Sequence, residues 1–148
     1  MREYFRRLFD YNRWAYARIE DHIIKYGIEH LDMIKLLSHY YNAEQIWLSR
    51  ILGKKEEVAV WETYDAKELF KRLARSNDQW LDFVESSESF DETIVYANSQ
   101  GDSFESKLID IVAQVANHGT HHRAQVSALL RQSGNIPPKT DFIYFARD

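Results

Sequence analysis

The chain has 148 residues, 45% hydrophobic and 28% charged, with 14% aromatic residues and no cysteine. That is the length of one ordinary domain, able to bury roughly 70% of its surface without a disulfide or structural metal, and its 4 Trp, 9 Tyr and 8 Phe exclude a disordered chain. The absence of Cys excludes a disulfide framework, a thiolate-ligated metal site and Cys nucleophile chemistry, and a net charge of −4 gives no support for nucleic-acid binding.

The first residues, Met1-Arg2-Glu3-Tyr4-Phe5-Arg6-Arg7, are charged and aromatic rather than an apolar signal core. No apolar run reaches the roughly 18 residues of a membrane helix. The cytoplasm is therefore the expected location. The two prolines are adjacent, Pro137 and Pro138, so none breaks a helix before residue 136. Phe5, Leu8, Phe9, Asn12, Ala15, Tyr16, Ile19 and Ile23 recur at three and four. They predict a first amphipathic helix from about Glu3 to Tyr26, stopped by Gly27. A second is expected from Asp32, a capping residue, to Leu52 before Gly53. Lys35, Ser38, Asn42, Gln45 and Ser49 share one face and read as its polar side. Glu44 intrudes on the apolar arc, either as a helix-edge carboxylate reaching solvent or as a polar group aimed at a site.

Residues 54–64 form a polar connection containing Trp61. A third helix is expected from Asp65 to Val84 or Glu85, with Leu69, Leu73, Trp80 and Val84 inward. Thr93-Ile94-Val95-Tyr96 and Ser103-Phe104 flank Asn98-Ser99-Gln100-Gly101-Asp102, the pattern of a small hairpin or an irregular loop. A fourth helix runs from Phe104 or Glu105 to Gln132, ahead of Gly134. The tail, Asn135 to Asp148, is aromatic enough to pack on the helices. The expected fold is all-α, a four-helix bundle over 1–148 as a single domain, with room for a crossover connection.

Six histidines remain as candidate ligands. His118 and His122 are four apart, one turn along the same helix face. With Ile111 at zero and about 100° per residue, His118 falls near −20° and His122 near +20°, between Val115 and Leu129 in the apolar stripe. Imidazoles aimed into a core need polar partners, because an unpaired buried nitrogen costs about 1–3 kcal/mol. A divalent metal would serve both at once, with a third ligand from a facing helix. The alternative is a pair of core histidines hydrogen-bonded to Glu44, Tyr or water. His39 is the candidate third ligand, at the border of the second helix's apolar arc, where a His is more often a surface residue. His121 falls at the stripe's edge, and His22 and His30 read as surface residues. Gln125, near −40°, lies on the site side, whereas Arg123, near 120°, reads as a solvated or interface charge on the outer face.

Asn117-His118-Gly119-Thr120-His121-His122-Arg123-Ala124-Gln125, followed by Leu129-Leu130-Arg131-Gln132-Ser133-Gly134, resembles the NHxxxHRxQ…LLRxxG signature of the DinB/YfiT-like family. His39 followed by Ala43-Glu44 and Trp47, Tyr11-Asn12-Arg13-Trp14-Ala15, and Thr140-Asp141-Phe142-Ile143-Tyr144-Phe145 extend the resemblance along most of the chain. It implies an up-down-down-up bundle, often dimeric, with a three-histidine metal site at His39, His118 and His122. The ion would be divalent, zinc or nickel first, with iron, cobalt and manganese also open. Relatives with assigned activities are thiol-dependent transferases and isomerases. Two positions depart from the pattern: Tyr16 stands where Asn is frequent, and Gln114 where a further His is frequent.

The leading expectation is a metal-dependent enzyme acting on a small electrophile by thiol transfer or hydrolysis. Glu44, Gln125 and Tyr16 are candidates to position groups or move a proton. A small-molecule substrate, a low-molecular-weight thiol and a homodimer are the expected partners, with neither nucleic acid nor membrane. The alternative is a noncatalytic metal- or ligand-binding stress-response module. A DNA-binding role, suggested only by the family's name, is opposed by the acidic charge balance.

Overall fold

The computed structural model describes residues 1–98 and 100–147. Ser99, in the expected turn, and Asp148, at the end of the expected tail, lie outside the described residues. The described residues are mostly helical, with five helices and one two-stranded sheet among them. Helix α1 spans Arg2–Tyr26 and ends where Gly27 enters the left-handed region (φ 58°), open to a residue without a Cβ. Helix α2 spans Leu31–Ile51; its N-cap is His30, and the expected cap Asp32 lies in the first turn instead. Helix α3 spans Ala66–Ser86, with the Asp65 carboxylate accepting from the Glu68 N–H at 3.0 Å. Strands β1, Thr93–Ala97, and β2, Ser103–Lys107, form the hairpin, antiparallel with Val95 opposite Glu105. Helix α4, Leu108–Gln132, starts later than periodicity suggests, because residues 103–107 pair with β1. Helix α5, Phe142–Phe145, packs its Phe142 edge-on against Tyr11 at 5.0 Å, as expected of an aromatic tail.

Helices α1 and α2 each pack against both α3 and α4. Arg6 meets Glu85 and Arg13 meets Asp78, so α1 and α3 run in opposite directions. Gln45 meets Ser76 and Gln79, while Arg72 lies over Tyr41, so α2 and α3 run the same way. Two apolar clusters fill the interior. One gathers Ile19, Met33, Leu37, Leu69, Leu73 and Leu130; the other gathers Phe5, Phe9, Trp80, Val84, Val112 and Val115. Phe9 stacks on Trp80 at 5.1 Å. No helix among the described residues is long and apolar enough to cross a membrane.

One face of α2 corrects the periodicity. Ser38 and Asn42, placed on the polar side, are fully buried beneath the 54–64 connection. The Asn42 amide donates to the carbonyls of Val60 (3.3 Å) and Glu62 (2.8 Å), and its Oδ1 accepts from the Tyr64 hydroxyl (2.9 Å). Ser38 Oγ accepts from the Tyr64 N–H (3.4 Å). These side chains are polar because they bind loop backbone, not because they face water.

At Gly119, side chains of α1 and α2 press against α4. A Cβ there would stand 3.0 Å from Asn12 Nδ2 and 3.1 Å from Tyr40 Cε2. Tyr40 is fully buried and stacked on Tyr16 at 4.4 Å, so it has little room to yield. Gly119→Ala should therefore lower stability by about 1–2 kcal/mol, the overpacking cost exceeding the helix-propensity gain of about 1 kcal/mol. Chemical denaturation measures it, and an unchanged or raised midpoint would show that the helices can part.

Candidate metal centre

Helix α2 presents His39, and helix α4 presents His118 and His122 one turn apart. The three rings converge, with centroids 5.3 Å apart for His39 and His118, 4.9 Å for His39 and His122, and 4.3 Å for His118 and His122. Nε2 of His118 and Nε2 of His122 are 3.0 Å apart. One ring nitrogen from each of the three lies within 4.8 Å of the others. His122 is buried, and His39 and His118 are half-buried. Burial, reinforced by the neighbouring His122, His39 and His121, pushes His118 down to about 4. Burial also lowers His122, against the raising effect of its hydrogen bond to Gln125. Both are thus neutral near pH 7, with lone pairs free to bind a cation.

Two of the rings are held from behind. His39 Nδ1 lies 3.1 Å from the Val60 carbonyl, and His122 Nδ1 lies 2.6 Å from Gln125 Oε1. With a carbonyl and an amide oxygen as acceptors, Nδ1 carries the proton in each, which leaves Nε2 as the lone-pair nitrogen. The Trp61 indole stacks on His39 at 3.9 Å, nearly parallel at 13°. Trp61 and Val60 belong to the connection that Asn42 clamps. Sequence periodicity misses them; the one signal was a tryptophan in an otherwise polar loop.

The other candidates fall elsewhere. Glu44 reaches neither solvent nor the three rings: it is 1% exposed, accepting from the Tyr40 hydroxyl and from Ser76 Oγ at 2.6 Å. Tyr16 donates to the Gly119 carbonyl at 2.9 Å and stacks on Tyr40. The nearest link from this pair to the centre is Tyr40, whose ring centroid lies 6.4 Å from that of His118. Gln114, Asn117 and His121 are exposed. His22 and His30, read as surface residues, are half-buried near the end of α1 and at the cap of α2, the His22 ring lying 4.6 Å from Tyr26. Arg123 is the larger correction. Read as an outer-face charge, it is 2% exposed, because α1 and the tail cover that side of α4. Its guanidinium donates to Asn12 Oδ1 (2.7 Å) and Thr120 Oγ1 (2.9 Å).

Three imidazoles suit a divalent transition ion, with M–N distances near 2.0–2.1 Å for zinc, and a 3.0 Å nitrogen separation is short enough for one ion to bridge. Among the described residues, His39, His118 and His122 are the His and carboxylate side chains gathered there.

The sequence model of the DinB family matches residues 1–148. A relative from Bacillus subtilis (strain 168), Protein DinB, is 24% identical over 163 residues, covering 96% of this chain and 93% of its own.

Burial raises the Glu44 carboxyl from its ordinary value near 4.5 to about 7, against the lowering effects of Ser76, Tyr40 and Arg123. Between those two pH values the folded chain binds more protons at Glu44 than the unfolded chain does. Its contribution therefore costs stability progressively as pH rises from about 4.5 to about 7 and stays at its full cost above. The full effect is on the order of 3 kcal/mol. Glu44→Gln stays neutral throughout, so its stability should fall less than that of wild type from pH 5 to 7.5. Parallel profiles in urea denaturation would rule out a titrating Glu44.

Proposed function

The chain belongs to the DinB family, and on that premise we propose that it is a metal-dependent protein acting on a small electrophile, by thiol transfer first and hydrolysis second. His39, His118 and His122 would hold the ion. The observation that carries this is the convergence of three imidazoles from two helices, two of them with Nδ1 tied to backbone or amide oxygen. Such rear hydrogen bonds fix the tautomer and aim Nε2, as second partners of metal-binding histidines do. When bound, the ion would supply Lewis acidity and lower the pKa of a water or thiol at its open position. Zinc and nickel are the first candidates, with iron, cobalt and manganese compatible with the same donors.

The remaining work falls to this chain's own side chains. Gln125 orients His122, and Trp61 covers one face of His39 and limits access of water there. Since the chain has no Cys, any thiol must arrive with the substrate. Glu44 and Tyr16 would act through Tyr40, holding α2 against α4, rather than on the substrate. An up-down-down-up bundle is the arrangement we infer for the helices, supported by the opposed directions of α1 and α3 and the shared direction of α2 and α3. A homodimer is proposed from the family resemblance.

Elemental analysis of untagged protein should find one divalent ion per chain, and His118→Ala should lose it. Gln125→Ala should weaken metal affinity by about 10–100-fold while leaving the fold intact by circular dichroism. No stoichiometric metal in wild type would overturn the proposal. Consumption of a small thiol by an activated aryl halide, followed with metal-loaded protein, should be faster with wild type than with His118→Ala. Equal rates with metal bound would favour a noncatalytic module.

A further inference from the structure

Arg123 places a cation in the interior with only neutral partners. Its two hydrogen bonds go to Asn12 and Thr120, and its guanidinium lies over the rings of Tyr11 (4.6 Å) and Tyr16 (5.2 Å). No carboxylate among the described residues is within ion-pair distance of it. A buried charge without a contact ion pair costs several kcal/mol, and Glu44 acts on it only at longer range. Two used N–H groups leave three of the five guanidinium donors unassigned.

Arg123 also lines a cavity of about 250 Å³ between α4 and the segment that leads into α5. Arg131 and Lys139 share that lining, with the Thr120 and Ser127 hydroxyls and a single acid, Asp141. Three cationic residues and one acid thus line it, on a chain whose net charge is −4, with the Lys139 ammonium also 5.2 Å from the Tyr144 ring centroid. The far wall is residues 137–141, anchored where the Tyr11 hydroxyl donates to the Thr140 carbonyl at 2.8 Å. The volume is below the roughly 300–1,000 Å³ of pockets for drug-sized ligands. Guanidinium donors match the oxygens of a small oxyanion, and hydroxyls complete such a set.

We propose that this cavity is a second ligand site, for a phosphate-class oxyanion held by Arg123, Arg131 and Lys139. It lies on a different face of α4 from His122, since adjacent residues on a helix point about 100° apart. It therefore does not depend on the metal centre. Occupancy would cross-link α4 to the tail and so stabilise the packing of α5 on α1.

Inorganic phosphate is the probe, titrated into His118→Ala protein so that the histidine centre contributes nothing. Thermal unfolding at constant ionic strength should show a saturable rise in Tm with phosphate that chloride does not reproduce. Arg131→Ala/Lys139→Ala removes two exposed cations, should change the phosphate-free Tm by no more than loss of the Lys139–Tyr144 contact, and should weaken phosphate binding at least tenfold by calorimetry. Arg123→Lys then checks the buried position, with Arg123→Ala avoided because it also removes the contacts to Asn12 and Thr120. Phosphate no more effective than chloride, or a double variant that binds as tightly as its parent, would overturn the proposal.

Discussion

Three helices meet where α4 has no side chain. At Gly119 the ring of Tyr40 and the amide of Asn12 press so near the α4 backbone that a Cβ would have to push them back. Tyr40 follows His39 in α2, and Gly119 follows His118 in α4, so this close approach also sets the register of the two histidine-bearing helices. Tyr40 is held in turn by its stack on Tyr16 and its hydrogen bond to Glu44. The three imidazoles converge because the packing beside them leaves α2 little freedom to slide along α4.

Around that contact runs a polar seam between two apolar clusters. Asn12, Glu44, Ser76 and Arg123 are all essentially buried, yet each has hydrogen-bond partners. A seam of this kind is costly if half-satisfied and specifying if complete, because a sliding helix would strand several polar groups at once. Glu44 shows the strain that remains: burial outweighs the two hydroxyl donors and Arg123, and its carboxyl titrates near neutrality. The seam supports the metal-centre residues without contributing a ligand to them.

The connection between α2 and α3 does comparable work from outside. Asn42 clamps its backbone, Val60 accepts from His39, and Trp61 covers the same ring. A segment that looks like a solvent loop is thus the outer wall of the centre. Its polar side chains Lys54, Lys55, Glu57, Glu62 and Thr63 are exposed, and it binds α2 chiefly through the Val60 and Glu62 carbonyls and the Tyr64 hydroxyl.

The four long helices were legible in the chain, since amphipathic periodicity, Gly27 and Asp65 act within a few residues of themselves, whereas the hairpin was one of two open readings and α5 was not foreseen. The pairing of His118 with His122 was legible for the same reason: two residues four apart share a helix face whatever the rest of the chain does. His39 stood at a border that periodicity could not resolve, and family resemblance rather than geometry singled it out. The burial of Ser38, Asn42 and Arg123 was not legible at all. Angular position on one helix reports that helix's own faces. Which face is covered depends on the loop over α2 and on α1 and the tail over α4. The sequence by itself determined the helices and a two-histidine face; only the tertiary structure decided what each face meets, because burial belongs to contacts between elements distant in the chain.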